Sequence, residues 1–443
     1  MASAAEQLAA NLNFKAFAKA SELKKRIWFT LAALVVYRLG TYVPLPGIDP
    51  VALAEAFDQA QQGIIGLINV FAGGAVGRMA IFALGIMPYI SASIIVQLLT
   101  TVVPRLEQLK KEGEQCRKQI NQYTRYGTVV LATVQAYGIA VGLESAGGIV
   151  TDPGWFFRFT TVVTLVGGTM FLMWLGEQIT SRGVGNGISL IIFAGIIAEL
   201  PGALVGMLEL GRQGVLSTPI ILGVLVMAVA VIAFIVFVER AQRRLLIQYP
   251  RRQVGNRMFQ GDSSHLPLKL NTAGVIPPIF ASSLLLIPAT LTSFGATEAT
   301  GFLGTVQVLL GHGQPLYMLA YAALIAFFAF FYTAIVFNPT DTADNLKKHG
   351  GYIPGIRPGE RTAQYIDYVL TRITVVGAIY LVLVCLLPEF LISATAVPFY
   401  FGGTSLLIVV SVTMDTVAQV QGHLLAHQYE GLVKKAKLKG KRR

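Results

Sequence analysis

Groups able to do chemistry are sparse in this chain and poorly placed for it. His423 and His427 lie four residues apart, a spacing that can put two imidazoles on one helix face, as metal ligands sometimes are. No His, Cys and Asp cluster completes a metal-site spacing around them, and such a pair on a terminal helix is ordinarily solvated. No glycine loop precedes a Lys-Ser/Thr pair to cradle phosphate, and no nucleophile elbow occurs. The two cysteines, Cys116 in a charged loop and Cys385 in an apolar block, are expected at different membrane depths, which argues against a disulfide. Neither a metal nor an organic cofactor is implied.

Two other residue patterns remain. Ionisable groups are nearly missing from the centres of the apolar blocks: Glu177, Arg158 and Asp415 fall near block ends, while Arg38 and Glu199 are more interior. A transporter of ions or metabolites usually carries such groups deep in its bundle, because burying them is costly unless they work. Ile86/Ile90 and Ile188/Ile192 are spaced to share a helix face, which by itself reads as packing or lipid contact. The terminal run from Lys434 to Arg443 reads first as a tail attracted to anionic lipid.

The elements that must position these residues are membrane helices. Apolar residues make up 54% of the chain and charged residues 13%, against roughly 25% charged in a soluble domain. Ten apolar blocks have roughly spanning length: 27–43, 79–103, 127–143, 159–176, 188–208, 219–238, 274–292, 316–337, 373–387 and 399–414. The net charge of +12 could suggest nucleic acid, but 31 of the 35 Lys and Arg lie on alternate sides of successive blocks. That distribution puts both termini in the cytoplasm. Lys24, Lys25 and Arg26 leading into an apolar block resemble a secretory signal, but Arg38 interrupts the block and no cleavage site follows. An uncleaved first span is therefore expected. With five spans in 1–208 and five in 209–443, the second half enters from the opposite side, as in inverted repeats about an axis in the membrane plane.

Several blocks carry a family resemblance. Ile81-Phe-Ala-Leu-Gly-Ile-Met-Pro-Tyr-Ile-Ser-Ala-Ser-Ile-Ile-Val-Gln-Leu-Leu-Thr100 resembles the second-span signature of the SecY family. Trp174-Leu-Gly-Glu-Gln-Ile-Thr-Ser-Arg-Gly-Val-Gly-Asn-Gly-Ile-Ser189 is similar to the signature joining its fourth and fifth spans. Glu107 to Gln122 with Tyr123-Thr-Arg-Tyr-Gly127, His265-Leu-Pro-Leu-Lys269, Phe337-Asn-Pro339, Thr342 to Lys348, Gly355-Ile-Arg-Pro-Gly359 and Pro398 to Ile408 follow in family order. The resemblance covers essentially the whole chain and is bacterial in wording.

The resemblance implies an all-α polytopic membrane protein, with ten transmembrane helices in two inverted five-helix halves around a central pore. It implies a protein-conducting channel of the inner membrane for secretory polypeptides, with lateral release of apolar segments into lipid and no enzymatic activity. The implied pore ring is Ile86, Ile90, Ile188, Ile192, Ile279 and Ile408. Stiff β-branched groups can seal around an extended chain, and a dry apolar constriction blocks ions. A plug, a short re-entrant helix, maps onto 64–78, with Ile64, Asn69, Phe71, Gly73, Gly74 and Arg78. A lateral gate of the second, third, seventh and eighth spans carries Gln97, Gln135, Asn271 and Ser282. Interhelical hydrogen bonds in membranes average about 0.6 kcal/mol, so such a gate can open readily.

Docking of the ribosome or the motor ATPase SecA falls to Arg240, Arg243, Arg244, Arg251, Arg252 and Arg257 in one loop and Lys347, Lys348, Arg357 and Arg361 in the next. Arg357 stands out inside Gly-Ile-Arg-Pro-Gly. Asn256 sits beside Arg257 where many members have a second basic residue, so a strict Arg-pair contact is not expected. SecE and SecG subunits, signal peptides, nascent polypeptides and membrane lipids complete the implied partners. The corresponding domains are a cytoplasmic segment 1–26, halves 27–208 and 209–420 with loops 239–273 and 338–372, and a basic tail 421–443. The competing classes are an inverted-repeat secondary transporter, which the parity alone permits, and a membrane-embedded enzyme.

Reporter fusions test the orientation. Fusions at 115, 255, 355 and 435 should report cytoplasm, and fusions at 150 and 305 the opposite compartment. A cytoplasmic signal at 305 breaks the ten-span reading.

Overall fold

A computed structural model describes residues 21–60, 69–104, 106, 114–145, 148–214, 217–249, 252–254, 257–259, 263–294, 314–394 and 403–440. The helices are α1 (Ser21–Gly40), α2 (Pro50–Ala60), α3 (Met87–Val102), α4 (Glu114–Ser145), α5 (Trp155–Arg182), α6 (Gly187–Arg212), α7 (Thr218–Arg240), α8 (Ile276–Phe294), α9 (Pro315–Val336), α10 (Pro339–Lys348), α11 (Glu360–Ala394) and α12 (Gly403–Gly440). Four strands, β1 (Gln242–Gln248), β2 (Arg252–Val254), β3 (Arg257–Phe259) and β4 (Ser263–Lys269), lie between α7 and α8. Among the described residues, seven helices are long and apolar enough to cross a membrane, and α3 and α8 contain shorter apolar helices. Each of the ten blocks read from the sequence overlaps a helix over its described part: α1, α3 to α9, α11 and α12. This is an all-α polytopic membrane fold. Large apolar side chains such as Val226, Val229 and Phe237 of α7 are exposed, as a lipid-facing helix requires.

The chain forms two compact units, Met1–Val205 with Ile287–Gln307 and Val412–Arg443, and Gly206–Leu286 with Val308–Ser411. In the first, α4 packs against both α3 and α5. Its stripe of Ala132, Ala136 and Ala140, spaced four apart and fully buried, permits the close backbone approach that drives helix association in lipid. The stripe sits in an apolar cluster with Leu45, Leu53, Met79, Leu84, Phe157 and Leu165. Arg125 of α4 grips the Glu177 carboxylate of α5 with Nη2 at 2.7 and 2.8 Å, and at the other end of α4 Arg158 Nε donates to Glu144 at 2.7 Å.

The α5–α6 joint explains much of the Trp174–Ser189 motif. Its buried N–H groups that lack a helical partner are satisfied by side chains: Val184 N–H donates to Thr30 Oγ1, Gly185 N–H to Gln419 Oε1 and Gly187 N–H to Thr180 Oγ1. A β-carbon at Gly187 would overlap the Gly176 carbonyl, so the small residues let the two helices meet.

In the second unit α11 packs against α9 and α10. β1 pairs with β4 in an antiparallel register running from Gln242↔Lys269 to Gln248↔Ser263, and β2 pairs with β3 further out. Gln248 and Tyr352 exchange backbone hydrogen bonds of 2.9 Å, tying this ribbon to the 338–372 loop. Leu245 and Leu268 of the ribbon join Ile353, Ile366 and Ile373 in one buried cluster. The two basic loops therefore share a core.

One expectation shifts. The second span, read as 79–103, is helical only from Met87; Ala72–Met79 and Ile81–Ile86 are turns. Pro88 suits a helix's first turn, where its missing N–H is no loss, and Gly85 at φ 55° breaks any helix running in from before. The turn backbone is held instead by Leu45 N–H to Met79 O and Ile81 N–H to Val43 O.

Gly168 of α5 lies so close to this segment that a β-carbon would overlap the Ile81 carbonyl, whereas Gly167 faces open space. Gly168→Ala should lower the melting temperature in detergent, with a loss of about 1–3 kcal/mol for overpacking. Gly167→Ala should be neutral or slightly stabilising; equal behaviour of the two variants contradicts the close approach.

Candidate functional site

The segment after Asn69 shows how a non-helical stretch is held within the helices. Asn69–Phe71 forms a short helical turn, and Gly73 (φ 65°) and Gly74 (φ 78°) then adopt left-handed conformations that glycine accepts without strain. Gly74 N–H returns to Asn69 O at 2.9 Å, and Asn69 Oδ1 accepts from Gly77 N–H at 2.9 Å. The re-entrant helix expected over 64–78 is thus a helical turn followed by glycine-directed turns over its described part; Ile64 lies outside the described residues.

Side chains from α1 and α6 hold this segment. Tyr37 Oη donates to Ala72 O at 3.3 Å, and Arg38 Nη1 donates to Gly73 O at 2.6 Å. Arg78 Nη2 reaches the same carbonyl at 3.2 Å and approaches Glu199 Oε1 of α6 at 4.0 Å. Both guanidinium groups lie over the Tyr42 ring, at 4.9 Å for Arg38 and 4.2 Å for Arg78. Gly195 of α6 lets this happen: a β-carbon there would sit 2.9 Å from Phe71 O. Sequence reasoning did not connect Tyr37, Tyr42 and Glu199 with the segment; the interior positions of Arg38 and Glu199 were the available signal.

The six isoleucines expected to form a ring divide between the two units. Ile86 caps the start of α3, and Ile90 N–H donates back to Ile86 O at 3.1 Å. Ile86, Ile90 and Ile192 are buried and Ile188 half-buried in the first unit; Ile408 is fully buried and Ile279 half-buried in the second.

Of the residues expected at a gate, Gln97 of α3 and Gln135 of α4 belong to the first unit, Asn271 and Ser282 to the second. Asn271 precedes α8, is buried, and donates through Nδ2 to Glu239 Oε1 at 2.7 Å and to Gly274 O at 3.0 Å. Glu239, at the end of α7, is a partner that sequence reasoning missed. Ser282 Oγ bonds back to Ile279 O within its own helix at 2.9 Å.

The basic residues stand outward. Arg240, Arg243, Arg244, Lys347, Lys348, Arg357 and Arg361 are exposed, while Arg252 and Arg257 lie in β2 and β3 and Arg251 falls outside the described residues. Asn338 caps α10 by accepting from Thr340 N–H at 3.1 Å, and Arg357 sits between Gly355 and Gly359, its carbonyl accepting from Thr362 Oγ1 at 3.0 Å. Among the described residues no cluster of His, Cys, Asp and Glu could hold a metal ion.

An all-α bundle with lipid-facing spans, an internal turn segment held by side chains and an outward-facing basic ribbon defines a polytopic membrane protein. The SecY family model matches residues 80–417, and the chain belongs to the SecY family. It is 58% identical over 423 residues to the protein translocase subunit SecY of Escherichia coli K12, covering 95% of this chain and 96% of the relative. The subunit of that name from Pseudomonas aeruginosa is 59% identical over 421 residues, with 95% of both chains covered. A solved protein-conducting channel superposes with TM-score 0.63 at 18% identity, covering 90% of this chain and 92% of the other. Sec61 in a canine ribosome–channel complex gives TM-score 0.61 at 17% identity with the same coverage.

The Asn271–Glu239 bond predicts a charge effect. Asn271→Asp would place two carboxylates 2.7 Å apart, so one must protonate or separate. The variant should melt lower than the parent at pH 7, by about 1–3 kcal/mol, and recover on acidification. A pH-independent melting temperature rules out the pair as drawn.

Proposed function

We infer that the chain is a protein-conducting channel, passing unfolded secretory polypeptides across the cytoplasmic membrane and releasing apolar segments sideways into lipid. The observation that carries this beyond family membership is the non-helical Ala72–Ile86 backbone among the helices. Irregular backbone at membrane depth is tolerated only where it is buried in protein or lines a water-filled cavity. A segment kept there by a few side-chain bonds is suited to moving aside, as a plug does.

On this reading an aliphatic ring of Ile86, Ile90, Ile188, Ile192, Ile279 and Ile408 supplies a constriction without hydrogen-bonding capacity, one that discriminates against ions but not among polypeptide sequences. Gln97 and Gln135 place polar groups on α3 and α4, and Asn271 and Ser282 place them before and within α8. The shared core of the two basic loops gives the exposed arginines a rigid support for docking the ribosome or SecA; one structural neighbour, Sec61, was seen in a ribosome complex. SecE and SecG complete the assembly, both termini face the cytoplasm, and the chain catalyses no reaction of its own, the energy coming from the docked motor.

Replacing Ile408 or Ile90 by Asn tests the ring. A hydrogen-bonding group there should let the constriction wet; losing about 1–2 kcal/mol of closed-state stability raises the open fraction roughly 5–30-fold. Planar-bilayer conductance should rise, and export of proteins with defective signal sequences should rise with it. Ile379→Asn, at a position 62% exposed, should do neither. Equal conductance for all variants and the parent removes the ring, and saturable uptake of a small solute by the parent would move the reading to a transporter.

A further inference from the structure

The interior charges of the first unit have no place in a ring, a gate or a docking loop, yet two of them converge on one carbonyl and the third sits beside them. Gly73 O accepts from Arg38 Nη1 at 2.6 Å and from Arg78 Nη2 at 3.2 Å, while Tyr37 Oη holds the neighbouring Ala72 O at 3.3 Å. We propose that Arg38 and Glu199 are plug-positioning residues that form a charged latch on Ala72–Arg78. The proposal rests on the channel reading.

Sharing one carbonyl brings two guanidinium groups together, and like charges repel. Two features offset this. The Tyr42 ring presents its negative face to both cations, and its hydroxyl oxygen accepts from Arg38 Nη2 at 2.9 Å. The Glu199 carboxylate, beside Arg78 at 4.0 Å, supplies the one opposite charge in this set. Gly74 and Gly195 make room for these groups: a β-carbon on Gly74 would overlap both Glu199 Oε1 and the Arg78 guanidinium.

The latch has a built-in asymmetry. Arg38 belongs to α1 and Glu199 to α6, whereas Arg78 travels with the segment that would move. Displacement of the segment therefore strips Arg78 from Glu199 and Gly73 from Arg38 together. Arg78 and Glu199 side chains are 39% and 29% exposed, so salt reaches the pair and weakens it. Ionic strength should thus act on the closed state itself.

The test uses the full chain with its partner subunits in planar bilayers, with resting ion conductance as readout and thermal unfolding to verify each fold. Arg38→Ala removes a charged donor and should raise resting leak roughly tenfold or more. Arg38→Lys keeps one donor and should restore most of the closure. Glu199→Gln, at a half-exposed pair, should raise leak by about two- to fivefold. The parent's leak should rise with salt beyond the rise in bulk conductivity, and Glu199→Gln should lose that excess. Deleting 70–77 separates the possibilities. If the deletion leaks while Arg38→Ala and Glu199→Gln match the parent, the plug stands and the latch is wrong. If the deletion does not leak either, the plug reading fails with it. Should Arg38→Ala fail to fold, Glu199→Gln and its salt dependence decide alone, and a parental value there overturns the latch.

Discussion

Backbone N–H and C=O groups have no water to turn to inside hydrocarbon, and this governs where the chain can depart from a helix. Most of the described spans meet the demand internally, residue by residue. At two places the chain leaves the helix, and other parts of the fold supply the missing partners. At the α5–α6 joint, Thr30, Thr180 and Gln419 accept from three consecutive-turn N–H groups. At Ala72–Gly73, Tyr37 and Arg38 donate to two carbonyls. Three of these five side chains, Thr30, Tyr37 and Arg38, come from α1. Its polar residues are explained by the irregular backbone they serve.

The same demand separates what was legible in the sequence from what was not. Apolar block length acts through the bilayer as a solvent, so each residue contributes without knowledge of its neighbours, and the polytopic helical fold was legible from it. The onset of α3 was not, because Ile81–Ile86 is as apolar as a helix and only Gly85 and Pro88 mark the break. The ribbon between α7 and α8 was hidden for a related reason. Leu245 and Ile247 alternate inward across one short strand, its partner β4 contains Pro267, and the covering residues Ile353 and Ile366 lie about a hundred positions away. Alternation over so few residues inside a charged loop gives no period to read.

Candidate site residues divide along the same line. The isoleucines, the glycines at 73 and 74 and the basic loops could be named because the family motifs carry them. Glu199 and Glu239 could not be given partners, since Arg78 and Asn271 lie far off in sequence and a lone carboxylate carries no mark of what it faces. An interior ionisable residue in a membrane chain is nevertheless a standing question, and Glu199 proves to sit beside a segment that interrupts the helices. That charge serves the interruption.

A channel for polypeptides has to combine two kinds of closure that obey different physics. An aliphatic constriction excludes ions because water leaves it, and this needs no particular orientation of any group; it re-forms around whatever occupies it. It also has no means of choosing when to be empty. Directional bonds to Gly73 and Ala72 supply the opposite property. They hold one conformation, vanish after a displacement of a few ångströms, and depend on a small number of charges that salt and substitution can reach. A seal made only of such bonds would leak whenever they broke, and a seal made only of isoleucine would give nothing for an arriving chain to displace. In the proposed channel, putting the directional part on a glycine-rich segment and the aliphatic part on other residues lets the first be released without dismantling the second.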